Sequence, residues 1–263
     1  MNHKIKVGLV GIGSINEKAY MPVLVKEDNW EIIGAYSRTE KNRNEFENKY
    51  NIKAFDTLES LSDEIEAVII NTPTDSHFEL AKFFLDKGVH VLVDKPLANT
   101  LKEAEELVFH SVHNKKALMV MFNRRYAPNY KILKDSLTST SIIRIVKHRA
   151  NRLGPQDAVF TLKDDYIHLI DTALWLFDGN LILSDGKVVV DNKNQLVIAN
   201  HHFKTKSGAK IETLLHRNTG ITKEYIEIIN EGQIINVIDF GTIKEEKEEK
   251  EIITYPGQWD TVE

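Results

Sequence analysis

A glycine-rich turn near the start of the chain constrains the fold more than any other feature of this sequence. Ile5–Val10 is a short apolar run, Gly11-Ile-Gly13 interrupts it, and apolar residues then resume at helical spacing. A strand, a glycine turn and a helix in this order form the context in which Gly-x-Gly-x-x-Gly binds a dinucleotide. Gly11 permits the tight turn, and Gly13 lets the backbone approach a pyrophosphate. The N–H groups of the next helix, beginning at Ser14 and Ile15, are expected to face that anion.

Residues 1–122 are predicted to form a Rossmann domain, an α/β doubly wound parallel sheet. Two of its helices are expected to begin with capping boxes, Ser76 with Glu79 and Thr100 with Glu103. Apolar runs that alternate with such helices predict a parallel sheet that is buried on both faces. The apolar runs are Ile5–Val10, Trp30–Tyr36, Ala67–Ile70, Val89–Val93 and Ala117–Met121.

The pattern changes in residues 123–263, which are predicted to form a second, α+β domain. A helix at about Asp165–Phe177 interrupts five or six strand-like runs, so we expect an open, largely antiparallel sheet with a helix on one face. The charge run Glu245–Glu251 is interpreted as a solvated segment or loop. The strand-like runs are Ile142–Ala150, Lys187–Val190, Leu196–Phe203, Lys210–Arg217, Tyr225–Ile229 and Gln233–Asp239.

Composition excludes several classes of function. The net charge of −5 and the lack of a basic patch argue against nucleic acid or an anionic membrane as the partner. No apolar run approaches the roughly 18 residues of a membrane span, and the apolar start is too short for a signal peptide. The chain has no cysteine, which excludes disulfides and thiolate metal sites. The expected location is therefore the cytoplasm.

Residues that directly follow strands are informative, because ligands of open α/β sheets bind outside the carboxyl ends of the strands. Ser37 and Arg38 follow the second apolar run, where enzymes that use NAD place an acidic residue. A hydroxyl and a guanidinium suit a 2′-phosphate, so NADP is favoured and NAD is the alternative. A surface loop with a solvated arginine is the other interpretation. Thr72, Pro73 and His77 follow the strand Ala67–Ile70 and are expected beside the cofactor.

Two further segments carry candidate catalytic groups. Lys95 follows the strand Val89–Val93, where its ammonium can polarise a substrate hydroxyl or carbonyl, although such a loop is also common on surfaces. At about 100° per residue, Asp164, His168 and Asp171 share one helical face. A histidine between carboxylates can act as a general base near neutral pH, whereas any amphipathic helix has a polar face. Tyr166 lies on the opposite, apolar arc with Leu174 and its neighbours.

Other polar residues give less specific predictions. Asn123 and Arg124 follow the last apolar run of the first domain, where an anionic or polyhydroxylated substrate could contact them. His201 and His202 are adjacent in a strand, so their side chains point to opposite faces of the sheet. We therefore expect no metal site.

These motifs resemble the glucose–fructose oxidoreductase / inositol 2-dehydrogenase (Gfo/Idh/MocA) family over almost the whole chain, and bacterial oxidoreductases labelled virulence-factor homologues in particular. The resemblance implies that Lys95 polarises the substrate, Asp164 orients the substrate or the base, and His168 transfers a proton. The matching segments are Val7–Gly13, Thr72-Pro73 with His77, Asp94-Lys95-Pro96 for the family's Glu-Lys-Pro, Phe122–Pro128, Lys147–Arg149, Gly154-Pro155, Asp164–Trp175 and His201–Phe203.

The chain departs from the family pattern at three places. Asn16 replaces the third Gly or Ala, so the first helix is expected to pack less closely on its strand. Tyr166 replaces a glycine and is expected to narrow the substrate pocket, so it is a candidate substrate contact together with Asp171. Family members continue beyond a point like Gln258–Asp260, so the second domain is expected to lack their last helices. The open sheet of the second domain often forms a dimer interface in this family, which predicts a homodimer.

The sequence therefore predicts an NADP-dependent oxidoreductase that transfers hydride between the nicotinamide and a hydroxyl or carbonyl carbon. A small sugar-like or cyclitol compound is the expected substrate. The alternative is a non-catalytic NADP-binding sensor, or a partner-binding protein, that has kept the fold. Retention of Lys95, Asp164 and His168 favours the enzyme.

Overall fold

The computed structural model describes residues 3–13, 16–26 and 29–255 of the chain. The chain divides into two compact units, Met1–Met121 and Phe122–Glu263. Each unit has its own sheet and its own apolar core, and we describe each by itself.

The first unit contains a six-stranded sheet in which every pair of neighbouring strands is parallel. Its order β3-β2-β1-β4-β5-β6 is that of the Rossmann fold, so the predicted fold class is confirmed. The order reverses between β1 and β4, and a dinucleotide binds at such a switch point. The strands are β1 (Ile5–Val10), β2 (Trp30–Tyr36), β3 (Ala54–Phe55), β4 (Ala67–Ile70), β5 (His90–Asp94) and β6 (Leu118–Met121).

Helices cover both faces of this sheet. Thr100 and Glu103 form the predicted capping box, in which each side chain accepts a hydrogen bond from the backbone N–H of the other residue. The capping box predicted at Ser76 is wrong, because the Ser76 hydroxyl donates to Thr72 and to the carbonyl of Pro73 instead. The helices are α1 (Met21–Leu24), α2 (Glu40–Tyr50), α3 (Leu58–Ser62), α4 (His77–Asp86) and α5 (Leu101–Asn114).

The apolar strands of the first unit contribute to two separate cores, one on each face of the sheet. Leu9 belongs to one buried cluster and Val10 to the other, because successive side chains of a strand point to opposite faces. In β4, Ile69 and Ile70 are divided in the same way. This confirms the predicted burial of the sheet on both faces, and it leaves the ends of the strands for polar residues.

The second unit contains an eight-stranded sheet of order β14-β13-β12-β11-β7-β10-β9-β8. All neighbouring strands are antiparallel except β7 and β10, which are parallel, so the predicted, largely antiparallel sheet is confirmed. The strands are β7 (Ile142–Ala150), β8 (Ile182–Val190), β9 (Leu196–Lys204), β10 (Lys210–Thr219), β11 (Lys223–Asn230), β12 (Gln233–Ile238), β13 (Thr242–Lys247) and β14 (Lys250–Thr254).

Helices pack on one face of this sheet and bury its apolar core. Ile143 and Ile145 of β7 contribute to this core with Leu169 and Ala173. The helices are α6 (Pro128–Asp135), α7 (Ala158–Thr161) and α8 (Ile167–Leu176), and a π-helical turn, Leu162–Tyr166, joins α7 to α8. The single helix predicted at Asp165–Phe177 is therefore divided between a π-helical turn and an α-helix.

The interpretation of Glu245–Glu251 as a loop is wrong, because these residues belong to a hairpin of β13 and β14. Glu248 and Glu249 both have positive φ and form the two-residue turn that such hairpins favour. Lys244 on β13 forms ion pairs with Glu246 at 2.6 Å and with Glu251 on β14 at 2.8 Å. Ion pairs between opposite charges on the two strands, rather than alternating apolar side chains, therefore stabilise this edge of the sheet.

Candidate functional site

The predicted phosphate-binding turn lies at the carboxyl end of β1, beside the switch point of the first sheet. Gly11 has a φ of +90°, and a Cβ there would lie 2.7 Å from the Asn71 carbonyl oxygen and 2.8 Å from Cγ2 of Thr72. Only glycine fits this position. A Cβ on Gly13 would meet no described heavy atom within 4 Å, so the space beside its backbone is open. Ser14 and Ile15 lie outside the described residues.

Two buried side-chain amides near this turn have unused hydrogen-bonding groups. Asn16 is 1% exposed and begins a short π-helical turn, Asn16–Tyr20, that leads into α1. Neither polar atom of its amide has a hydrogen-bond partner among the described residues, and the same holds for Asn71 after β4. Burying an amide without a partner costs about 1–3 kcal/mol. Such groups, beside an open glycine backbone, fit a site that takes a polar ligand.

The residues after β2 place two arginines at the edge where a ribose phosphate is expected. Arg38 is exposed and Ser37 is half-buried. Arg43 of α2 donates a hydrogen bond from Nη1 to the Ser37 carbonyl at 2.8 Å and pairs through Nη2 with Asp56 at 3.2 Å. Sequence reasoning missed Arg43. Its position one helical turn into α2 is the feature of the sequence that could have indicated its place beside Arg38.

The loop after β4 is tied to the loop after β5 by His77. The ring is 1% exposed, and its Nδ1 lies 2.7 Å from the Pro96 carbonyl oxygen while Nε2 lies 2.8 Å from the Thr72 carbonyl oxygen. Carbonyl oxygens only accept hydrogen bonds, so the imidazole is the donor in these contacts. His77 thus positions the two loops, and both of its ring nitrogens face protein backbone rather than a cofactor.

Lys95 begins the loop that His77 holds. Its backbone N–H donates to the Asp94 carboxylate at 2.7 Å, its peptide bond to Pro96 is cis, and its side chain is half-buried. Because β1, β4 and β5 are parallel, the Gly11 turn, Thr72 and Lys95 follow the same edge of one sheet. The first unit therefore brings the predicted phosphate site and the predicted polarising lysine to one edge.

In the second unit the predicted polar helical face is only partly correct. Asp164 is exposed in the π-helical turn and His168 is half-buried in the first turn of α8. Asp171 is buried, and both of its oxygens accept from Arg125, with Nε at 2.9 Å. Burial outweighs the contribution of Arg125 and raises the pKa of Asp171. Leu174, expected to be buried, is 38% exposed.

Asp165, which the sequence analysis did not single out, is a buried carboxylate of the π-helical turn with three cationic partners. It accepts from Lys147 Nζ at 2.8 Å, from Arg149 Nη2 at 2.9 Å and from Arg217 Nη1 at 2.5 Å. Burial by itself raises the pKa of a carboxyl, but the bonds and charges of Arg149 and Lys147 outweigh it and lower the pKa of Asp165 far below its ordinary value. The helical periodicity failed to identify this group because a π-helical turn shifts the faces of the helix.

The side chain of Arg124, predicted to contact the substrate, is used within the protein. It is 8% exposed and binds Glu224 with two parallel bonds, Nε to Oε1 at 2.6 Å and Nη2 to Oε2 at 2.7 Å. Lys147 lies 3.2 Å from the same carboxylate. Burial by itself raises the pKa of Glu224, but the hydrogen bonds and charges of Arg124 and Lys147 outweigh this effect and lower the pKa to about 2. Asn123 remains exposed.

Tyr166 is buried, as its place on the apolar arc predicts, but its hydroxyl contacts other protein groups. Its ring is 4% exposed, and its hydroxyl lies 2.6 Å from Thr213 Oγ1 and 2.7 Å from Nδ1 of His201. Burial raises the pKa of Tyr166 to about 12. The hydroxyl thus joins the π-helical turn to the sheet, so Tyr166 is not proposed as a substrate contact.

Neither a membrane-spanning helix nor a cluster of metal-binding side chains is present in the part of the chain that the structure describes. None of its helices is both long enough and apolar enough to cross a membrane. The same residues contain no group of three or more His, Asp or Glu side chains placed to hold a metal ion. Of the two adjacent histidines of β9, His201 contacts Tyr166 and His202 pairs with Asp185 at 2.6 Å.

A Rossmann unit followed by a unit with a large open sheet defines a class of two-domain, nicotinamide-dependent oxidoreductases. The family described as an oxidoreductase family with an NAD-binding Rossmann fold (Gfo/Idh/MocA) matches residues 5–122, and the YceM-like C-terminal domain matches residues 128–248. The chain belongs to the Gfo/Idh/MocA oxidoreductase family.

Individual relatives support this assignment. YceM of Salmonella typhimurium is named as an oxidoreductase. Its sequence is 37% identical to this one over 98% of this chain and 83% of its own length. The crystal structure of the dehydrogenase MviM from Clostridium difficile has a TM-score of 0.92 at 37% identity, covering 98% of this chain and 84% of that one. The NADP-dependent scyllo-inositol 2-dehydrogenase IolU of Bacillus subtilis is 31% identical over 53% of this chain and 43% of its own length.

Proposed function

We propose that this protein is an NADP-dependent oxidoreductase acting on a hydroxyl or carbonyl carbon of a small sugar-like or cyclitol substrate. The observation that carries the proposal is the shared edge of the first sheet, where the glycine turn, Thr72 and Lys95 follow parallel strands. This arrangement brings a phosphate-binding turn and an ammonium group to the edge where Rossmann enzymes bind their cofactor. The inositol dehydrogenase named among the relatives supports a polyhydroxylated substrate.

The residues of the first unit fit a nicotinamide dinucleotide. The open backbone at Gly13 and the tight turn at Gly11 would hold the pyrophosphate, and Thr72 and Pro73 would border the dinucleotide. The unpartnered amides of Asn16 and Asn71 offer polar contacts at the same edge. When bound, the nicotinamide supplies or accepts a hydride.

NADP is the proposed form of the cofactor, with NAD as the alternative. Arg38 is exposed directly after β2, and Arg43 is held beside it by the Ser37 carbonyl. Two guanidinium groups at this edge suit the 2′-phosphate, because arginine binds phosphate with paired hydrogen bonds. No carboxylate occupies residues 37–39, where one would favour the free ribose hydroxyls of NAD.

The remaining roles belong to the chain's own side chains. We assign to Lys95 a hydrogen bond to the reacting oxygen, which stabilises the charge that develops there. His168 takes the proton of that hydroxyl in oxidation and returns it in reduction, and Asp164 orients the substrate or the imidazole. Asp171 is excluded from this group because Arg125 already occupies both of its oxygens.

Substitution of the two proposed catalytic side chains tests this function. Lys95→Ala and His168→Ala are each expected to lower turnover of NADPH with a responsive sugar or ketone by about 100-fold or more. Both variants should bind NADPH within about threefold of the wild-type affinity. Lys102→Ala and His113→Ala, which remove exposed residues of α5, serve as matched controls. Tight binding of NADPH by the wild type without turnover of any compound would favour the sensor instead.

We also propose a homodimer that forms through the open face of the second sheet. The helices cover one face, whereas the other carries half-buried side chains, among them Leu214 of β10 and Tyr225 of β11, which lie on either side of Val146 of β7. Light scattering after size-exclusion chromatography is expected to give about twice the chain mass of 30.1 kDa. A mass equal to that of one chain would contradict the dimer.

A further inference from the structure

The face of the second sheet that buries the apolar core becomes basic at one end. Along β7, Ile143 and Ile145 are followed on the same face by Lys147 and Arg149. Arg217 lies near the corresponding end of β10, which runs parallel to β7. We call Lys147, Arg149 and Arg217, which surround the Asp165 carboxylate, the cation cluster.

The cation cluster carries more positive charge than its carboxylates neutralise. Ion pairs connect it through Lys147 to Glu224 and Arg124, so that four cations share two carboxylates. Counted over the residues that the structure describes, two positive charges are therefore left uncompensated within this connected group. Uncompensated charge in a partly buried site is expensive, and such sites are candidates for function rather than for stability alone.

The exposure of the four cations shows which of them can meet a ligand. The side chains of Lys147 and Arg124 are 6% and 8% exposed, and both are enclosed by their carboxylate partners. Arg149 is 34% exposed and Arg217 is 15% exposed. A guanidinium group has five donors, and those that Asp165 leaves unused on Arg149 and Arg217 can reach an anion from solvent.

We infer that Arg149 and Arg217 bind a phosphate monoester on the substrate, so that the proposed enzyme acts on a phosphorylated sugar or cyclitol. A phosphate monoester carries a charge of about −1.5 to −2 near neutral pH, which matches the two uncompensated positive charges. Two guanidinium groups provide the paired donors that phosphate prefers over a single lysine. A carboxylate would leave one of these charges unmatched.

The position of the cation cluster suits a substrate anchor. Asp165 lies in the π-helical turn, only three residues before His168 in the first turn of α8. A phosphate bound beside Asp165 would therefore hold a sugar with its ring near the proposed proton-transfer group. This inference deepens the proposed function and depends on it for the identity of the reacting molecule, although the anion site itself can be tested without turnover.

Binding of glucose 6-phosphate, compared with glucose, tests the anion site by isothermal titration calorimetry at constant ionic strength and without cofactor. The wild type is expected to bind the phosphorylated sugar at least about tenfold more tightly than glucose. Arg149→Gln and Arg217→Gln should each remove most of this preference, and Arg149→Lys should restore part of it by keeping the charge. Arg144→Gln is the matched control, because Arg144 lies on the same strand but pairs with Glu212 on the opposite face.

Asp165→Asn gives a result that a purely structural ion-pair network does not predict. Its carboxylate competes with the phosphate for the same guanidinium groups, so the variant should bind glucose 6-phosphate more tightly than the wild type does. Circular dichroism and thermal unfolding, with and without inorganic phosphate, establish that each variant is folded. Phosphate should raise the unfolding temperature of Asp165→Asn more than that of the wild type.

Several outcomes would overturn the inference. Equal affinity of the wild type for glucose and glucose 6-phosphate would do so, as would unchanged binding in both glutamine variants. Loss of binding in Arg38→Gln with retention in Arg149→Gln would assign the phosphate to the cofactor site instead. NADPH binding is measured separately, so a protein that binds glucose 6-phosphate but no cofactor would refute the proposed function and not the anion site.

Discussion

His77 donates from Nδ1 to the carbonyl oxygen of Pro96 at 2.7 Å, and this bond joins the loop after β4 to the loop that carries Lys95. The same ring reaches the Thr72 carbonyl through Nε2 at 2.8 Å. A buried imidazole thus fixes the two loops that border the proposed nicotinamide site. We therefore propose that His77 positions Lys95 without itself contacting the substrate.

Replacing His77 with Ala is expected to loosen the Lys95 loop, because the Thr72 and Pro96 carbonyls lose their buried donor. The stability loss should be about 1–3 kcal/mol. Hydrogen exchange measured by mass spectrometry should show faster exchange in peptides covering residues 94–100. His113→Ala, which removes an exposed histidine, is the control. Exchange in these peptides as slow as in the wild type would show that His77 does not hold the loop.

Replacing the two glycines of the turn with alanine is predicted to affect different properties, stability at Gly11 and cofactor binding at Gly13. Gly11→Ala meets backbone at 2.7 Å with φ at +90°, so it should lower the free energy of unfolding by about 2 kcal/mol or more. Gly13→Ala meets no described atom within 4 Å and should leave stability nearly unchanged. Gly13→Ala should nevertheless weaken NADPH binding at least about tenfold, because its methyl group fills the space proposed for the pyrophosphate. Unchanged NADPH affinity in Gly13→Ala would show that the cofactor does not bind at this turn.

Arg38 is predicted to set the preference for NADPH over NADH. Arg38→Gln should weaken NADPH binding by about tenfold or more and change NADH binding by no more than about twofold, since only NADPH carries the 2′-phosphate. Fluorescence titration with both cofactors measures the ratio. Lys41→Gln is the control for loss of a nearby exposed cation. A wild type that binds NADH more tightly than NADPH would establish the alternative cofactor.

The pKa of Glu224 predicts how stability responds to acid. Its pKa is about 2 in the folded protein and near 4.5 in an ordinary carboxyl, so the folded state binds the proton less tightly than the unfolded state. The resulting stability is fully present above about pH 5 and is lost as the pH falls towards about 2. Urea unfolding at several pH values should therefore show a steep loss in the wild type.

Glu224→Gln separates this contribution from general acid sensitivity. The variant should be less stable at neutral pH by about 3–5 kcal/mol, because Arg124 loses its buried partner. Its free energy of unfolding should also fall less between about pH 5 and pH 3 than that of the wild type. Glu231→Gln, which changes an exposed carboxylate, is the control. Parallel pH profiles for Glu224→Gln and the wild type would refute the assignment.

Most of the fold followed from local sequence pattern, because the buried strands of the first unit are apolar and glycine marks their most demanding turn. The boundaries of β1, β2, β4 and β7 agree with the predicted runs. The hairpin of β13 and β14 escaped prediction because paired charges and backbone hydrogen bonds stabilise it. An apolar pattern cannot reveal such an edge hairpin.

The candidate site was predictable only in part, because a sequence shows which polar residues are present and not which ones neutralise each other. Arg124 follows a strand as expected, yet its guanidinium forms an ion pair with Glu224, which lies one hundred residues later in the chain. Asp165 was overlooked beside Asp164, since a regular α-helix would direct it differently from the π-helical turn that is found. Long-range ion pairs and a local change of helix type are therefore the features of the candidate site that the sequence could not predict.

Transfer of deuterium from NADPH labelled at C4 of the nicotinamide tests the central claim most directly. The wild-type chain is incubated with the labelled cofactor and a panel of ketone forms of sugars, cyclitols and their phosphates, and the products are analysed by mass spectrometry. We predict that deuterium appears at the new carbinol carbon of at least one compound, and that Lys95→Ala and His168→Ala abolish this transfer while still binding NADPH. No transfer to any compound, or transfer that persists in both variants, would contradict the account.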